Sequence, residues 1–87
     1  MGYCVYYLYS PILQKHYIGK TENLNRRLLE HNLGQEKFTR KGTPWELIGY
    51  KECPTSAEAV QLENKLKKAK NIKYVRWYIE KNGVLKK

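Results

Sequence analysis

Only two cysteines, Cys4 and Cys53, occur among the 87 residues. That is too few for a disulfide scaffold, and their positions lack the spacing of a metal site. Both are expected to be reduced and buried. No run approaches the roughly 18 apolar residues of a membrane span, and no charged-then-apolar secretion signal opens the sequence, so the expectation is a soluble, cytoplasmic protein. Internal repeats, low-complexity tracts and linkers are also missing. The chain is therefore read as a single domain over residues 1–87, which would bury about 60% of the surface its unfolded form exposes. Acidic residues are the scarce charge, 8 against 17 Lys and Arg, which leaves a formal net charge of +9 and a pI near 9.6.

That excess attracts polyanions such as nucleic acid or an anionic membrane surface. Much of it lies late, at Lys65, Lys67, Lys68, Lys70, Lys73, Arg76, Lys81, Lys86 and Lys87. Eight tyrosines and two tryptophans supply apolar area for a core and argue against a disordered basic tail.

Residues 3–9 are aromatic and β-branched on both alternating faces, which suits a strand covered on both sides. Ser10 and Pro11 break it, and a second strand over about 15–19 makes a hairpin. Thr21, Glu22 and Asn23 then offer side-chain oxygens for a helix start, with Leu24, Leu28 and His31 on one face and Gly34 as a stop. Residues 33–44 read as an exposed basic loop carrying Lys37, Arg40 and Lys41. A third strand follows over 45–52. Thr55 and Glu58 form a capping-box signature for a helix running to about Lys70, and a last helix spans about 72–81. The order is β-β-α-β-α-α, a mixed α/β (α+β) domain with a small three-stranded antiparallel sheet flanked by helices.

Residues of chemical interest gather in this framework. Tyr6 shares a strand face with Cys4 and Leu8, and hairpin pairing can bring Tyr17 beside it. Arg27 and His31 stand four apart on the first helix, with Arg27 at the edge of the apolar cluster. A guanidinium there seeks a carboxylate or a phosphate, since it cannot lose its charge. An ion pair with Glu30 or Glu22 would satisfy Arg27 without any catalytic role, and His31 could serve in capping or packing. Glu63 falls within the apolar stripe of Ala59, Val60, Leu62, Leu66 and Ala69. A carboxylate so placed should be protonated, paired or bound to a cation. Pairing with Arg27 is one solution; one carboxylate plus water and phosphate oxygens around Mg²⁺ is another. There is no His/Cys cluster for zinc, no phosphate-cradling Gly-rich loop and no serine-centred triad.

The constellation resembles the GIY-YIG nuclease superfamily, small stand-alone bacterial type. Cys4-Val5-Tyr6 stands where the first motif would be, with Cys replacing its Gly. Tyr17-Ile18-Gly19 matches the second, eleven residues on from tyrosine to tyrosine. Arg27 and His31 fit the family's Arg-x-x-x-His, Glu63 fits its metal-binding glutamate, and residues 38–45 look like the loop of the small members. Asn71 and Asn82 match the asparagine used by several relatives only by order. The resemblance implies an endonuclease that hydrolyses DNA phosphodiesters with one Mg²⁺ or Mn²⁺ on Glu63. Tyr6 would accept the proton of the attacking water, Tyr17 orient water or phosphate, Arg27 stabilise the phosphorane charge, and His31 orient neighbours or shuttle a proton. Lys20, Lys37, Arg40 and Lys41 would contact phosphates. About five neutralised phosphates would give a log-log salt slope near −4.5 on duplex DNA, measurable by titrating binding against salt. Nothing resembles a recognition helix, so weak sequence specificity is expected, with selectivity for branched or nicked DNA in repair or processing. A protein partner or a dimer could supply further selectivity, and RNA is a possible substrate. The alternative is a catalytically weak or inactive nucleic-acid-binding module of the same fold.

Overall fold

The structure is a computed structural model, which describes residues 2–35, 37, 39–69 and 71–85. Its elements are β1 (Tyr3–Ser10), β2 (Lys15–Thr21), α1 (Leu24–Asn32), a short 3₁₀ turn (Arg40–Gly42), β3 (Glu46–Cys53), α2 (Ser56–Ala69), α3 (Ile72–Asn82) and β4 (Val84–Leu85). The antiparallel sheet has the order β2-β1-β3-β4. A fourth strand therefore corrects the expected three. Its two residues, paired with Gly49 and Tyr50, are too few to show any alternation along the sequence.

Both faces of β1 are covered. Val5 and Tyr7 enter a core with Ile18, Ala59, Leu62, Leu66, Val75 and Ile79, so α2 and α3 form one layer. Tyr6 points the other way and meets His31 of α1. The register sets Tyr6 opposite Gly19 and Leu8 opposite Tyr17, and directly opposed residues share a face. Tyr6, Leu8, Tyr17 and Gly19 thus form one surface beneath α1. Ile48 is an extra residue on β3, where the register shifts between Tyr7 and Leu8.

Local chemistry explains the boundaries. Asn23 caps α1 by accepting from Arg26 N at 3.0 Å, while Thr21 Oγ1 accepts from Asn23 N at 3.1 Å. Gly34, at φ 76°, ends the helix in the left-handed region that side chains resist. Thr55 caps α2 by accepting from Glu58 N at 3.2 Å. Lys70, where that helix was expected to end, lies outside the described residues, as do Phe38, Lys86 and Lys87. β3 begins at Glu46 because Asn32 engages the backbone of Trp45 twice: Trp45 N donates to Oδ1 at 2.6 Å and Nδ2 donates to Trp45 O at 3.3 Å.

Two expectations change in detail. Cys53 is buried but Cys4 only half-buried, both as free thiols, so the side chain replacing the first-motif glycine is accommodated. The loop of residues 33–44 is basic and exposed at Lys37, Arg40 and Lys41, yet Thr39 and Gly42 are buried. Ser10 Oγ donates to Gly42 O at 2.7 Å, which fastens the loop to β1. Among the described residues, no helix is long and apolar enough to cross a membrane.

Candidate active site

The loop and α1 meet β1 through one line of hydrogen bonds. The hydroxyl of Tyr6 lies 3.0 Å from His31 Nε2, and His31 Nδ1 lies 2.6 Å from Thr39 Oγ1. Thr39 is held in turn by Trp45, whose indole Nε1–H donates to Thr39 O at 2.7 Å. Tyr6 and His31 are 1% and 0% exposed, so each polar atom needs such a partner. A neutral imidazole has one donor and one acceptor nitrogen. In one tautomer the Tyr6 O–H donates to Nε2 and Nδ1–H donates to Thr39; in the other Nε2–H donates to the phenol oxygen and the Thr39 hydroxyl donates to Nδ1.

Burial drives the Tyr6 pKa up to about 12, and the neighbouring Tyr17 phenol pushes the same way, against a hydrogen bond and favourable charge from Arg27. Tyr6 therefore keeps its proton where an ordinary tyrosine, with a pKa near 10, loses it. Between pH 10 and 12 an unfolded chain releases that proton and the folded chain retains it, so stability falls as pH rises through this window. Ultraviolet titration of the phenols should show a late-ionising component near pH 12 that Tyr6→Phe removes. A titration curve unchanged by that substitution would contradict this assignment.

Tyr17 completes an aromatic cluster. Its ring centroid lies 6.1 Å from Tyr6, 5.2 Å from His31 and 6.2 Å from Trp45, and unlike Tyr6 it is only half-buried. Gly19 makes the approach possible. A Cβ built there would stand 2.5 Å from the Tyr6 hydroxyl oxygen and 3.0 Å from Tyr17 Cε2.

Arg27 joins this cluster through Tyr6, and its Nη1 donates to Glu30 at 3.1 Å. The expected i, i+3 ion pair is thus present beside the phenol contact. With its side chain 28% exposed, the guanidinium borders both the buried hydroxyl and solvent. Glu63 reaches the same neighbourhood from α2. Its carboxylate lies 3.5 Å from Lys67 Nζ, and that ammonium sits over the Tyr17 ring at 6.0 Å. The Glu63 side chain is 16% exposed, so the carboxylate is sheltered without being sealed.

Of the site residues read from the sequence, Tyr6, Tyr17 and His31 are in mutual contact, Arg27 joins them through Tyr6, and Glu63 is linked through Lys67. Lys20, Lys37, Arg40 and Lys41 are exposed, as phosphate contacts require. Sequence reasoning missed Thr39, Trp45 and Lys67. Thr39 and Trp45 lie in the loop stretch already singled out, whereas Lys67 is marked only by standing one helical turn beyond Glu63.

Glu63 offers one hard carboxylate donor, partly sheltered and linked to Tyr17 through Lys67. Among the described residues, no group of three His, Cys, Asp or Glu could cage an ion. One carboxylate completed by water and phosphate oxygens is a normal Mg²⁺ arrangement. The residues therefore fit a single ion held partly by substrate.

The family model of the GIY-YIG catalytic domain matches residues 2–75. A UPF0213 protein of Natronomonas pharaonis is 34% identical over 68 residues, covering 77% of this chain and 80% of that relative. A UPF0213 protein of Bacillus halodurans, solved in solution by NMR, superimposes with a TM-score of 0.57 at 28% identity, over 95% of this chain and 88% of that one.

Proposed function

The chain belongs to the GIY-YIG family, and from that premise we propose that it is an endonuclease that hydrolyses DNA phosphodiester bonds with one Mg²⁺ or Mn²⁺. The observation that carries this reading is the hydrogen-bonded line Tyr6–His31–Thr39, with Arg27 at its outer end and Glu63 close by.

A phenol with a pKa near 12 is a poor base if it must first ionise at neutral pH. The geometry supports a coupled transfer instead. Tyr6 takes a proton from the attacking water as its own passes to His31 Nε2, so no free phenolate accumulates. The tautomer that acts is the one whose Nδ1–H is given to Thr39, which leaves Nε2 open as the acceptor. The water oxygen bonds to phosphorus, the ester bond to the leaving oxygen breaks, and the guanidinium of Arg27 stabilises charge on the equatorial oxygens. Tyr17, with its ring more exposed, orients water or phosphate. Glu63 would hold the ion, which when bound supplies Lewis acidity at the phosphate. Lys67, now paired with Glu63, would be free to meet a phosphate once a cation takes its place.

Exposed Lys20, Lys37, Arg40 and Lys41 give sequence-independent phosphate contacts. Weak sequence preference follows, and the proposal includes selectivity for branched or nicked DNA with a place in DNA repair or processing. A protein partner or second copy would sharpen selectivity. A second reading, a non-cleaving nucleic-acid-binding module, draws on the burial of Tyr6 and His31. Supercoiled plasmid and branched DNA, incubated with the purified chain in Mg²⁺, Mn²⁺ or chelator, separate the two. Nicking with metal and none in chelator is expected; binding without cutting in either metal would assign the module.

A further inference from the structure

The part of α3 that runs past residue 75, where the family match ends, presents an unusual outer surface. Trp77 is 53% exposed. Its ring stacks on Tyr74 at 6.0 Å with an interplanar angle of 29°, and Tyr74 lies 6.4 Å from Tyr78. From α2, Lys65 Nζ sits over the Tyr78 ring at 5.0 Å. At 100° per residue, Tyr74, Trp77, Tyr78 and Lys81 fall on one side of α3, with Lys73 flanking them, while Ile72, Val75 and Ile79 face the core. Tyr74 and Tyr78 are half-buried and rest partly against that core, and Trp77 is the ring that stands out in solvent. Surface tryptophans are not needed for that core, because Val75 and Ile79 already fill it at 1% and 0% exposure.

Charge identifies the occupant. Beyond Glu63, the sequence to its last residue holds nine Lys and Arg against Glu80 alone. A protein partner would need a matching acidic face. Single-stranded nucleic acid supplies both complements at once: bases to stack on aromatic rings and phosphates to meet the lysines. The first turn of α3 also borders the candidate site: a groove of about 260 Å³ is lined by the half-buried Tyr17 with Lys67, Asn71, Ile72 and Val75 among others. Trp77 stands five residues beyond Ile72, about 7.5 Å along the helix axis.

We infer that the Tyr74–Trp77–Tyr78 face of α3, with Lys65, Lys73 and Lys81, is a stacking platform for a single-stranded segment of the nucleic-acid substrate. The occupant rests on the nucleic-acid reading above, and it narrows the substrate class to DNA with an unpaired flap or tail beside the cut.

The two tryptophans make the test clean, because Trp45 is 5% exposed and quenching by added strand reports on Trp77. The full chain is titrated with a thymidine 20-mer at low salt in chelator, with affinity followed by anisotropy of a labelled strand. Intrinsic fluorescence should be quenched. Trp77→Ala should weaken binding roughly tenfold, the loss of about one stacked base, while Trp77→Phe binds as the native chain does. Unchanged affinity in Trp77→Ala overturns the inference. Trp77-dependent self-association in sedimentation, without strand binding, overturns it in favour of a protein interface. Trp77-dependent binding by a chain that cuts nothing in any metal leaves the platform standing and removes the nuclease reading instead.

Discussion

Glu63→Ala is expected to slow DNA cleavage in Mg²⁺ by about a thousandfold while DNA affinity in chelator is kept or increased. The asymmetry follows from the geometry. Glu63 is the acid linked to the phenol cluster through Lys67, and a Lewis acid at the phosphate is worth several kcal/mol of barrier, at 1.36 kcal/mol per factor of ten. The same carboxylate occupies Lys67 at 3.5 Å, so its removal releases a cation and takes away a negative charge that repels phosphate. Cleavage and affinity should therefore move in different directions. Single-turnover cleavage of a branched substrate and anisotropy in chelator measure the two separately. Equal loss in both would mean that Glu63 is a folding or binding residue; undiminished cleavage would remove it from the site.

Gly19→Ala should have the second largest effect, and it acts without removing any ionisable group. In a strand, replacing Gly by Ala ordinarily helps by roughly 0.5–1 kcal/mol. Here the new Cβ would meet the Tyr6 hydroxyl oxygen at 2.5 Å and Tyr6 Cζ at 2.7 Å. Tyr6 is enclosed and cannot swing into solvent, so the ring must shift against His31. Overpacking of this kind costs about 1–3 kcal/mol, which exceeds the propensity gain. The net expectation is a loss of about 1–2 kcal/mol in urea denaturation. Cleavage should fall about a hundredfold, because displacing a reacting group by an ångström is enough for that. A variant with native cleavage would show that the position of the Tyr6 hydroxyl is immaterial. In this chain the second motif's glycine is thus a steric requirement of the phenol opposite it.

The tyrosines, the arginine–histidine pair and the glutamate could be read from the sequence because each sits on a regular element with a visible period. Alternation in β1 separated Tyr6 from Val5 and Tyr7, and helical spacing set Arg27 beside the face of Leu24, Leu28 and His31. The caps at Asn23 and Thr55 were readable for the same local reason. What closes the site was not. His31 meets Tyr6 across 25 residues, and Thr39 reaches His31 from a loop that reads simply as basic and polar. Trp45 looks like the first residue of a strand until Asn32 takes its backbone groups. β4 escaped because two residues carry no period. Lys67 looks like one more late lysine, and only the packing of α2 against β2 carries its ammonium to Tyr17. The late aromatic and basic residues of α3 read as a charge excess, and the helix wheel alone did not say that Trp77 stays in solvent.

The most direct test of convergence is the single-turnover rate of DNA cleavage in Mg²⁺ for the native chain, Arg27→Ala, Glu63→Ala and the double variant. Groups that serve one transition state lose their effect together, so each single change should cost nearly as much as both. Separate losses that multiply in the double variant, or cutting that survives it, would contradict a shared phosphodiesterase site.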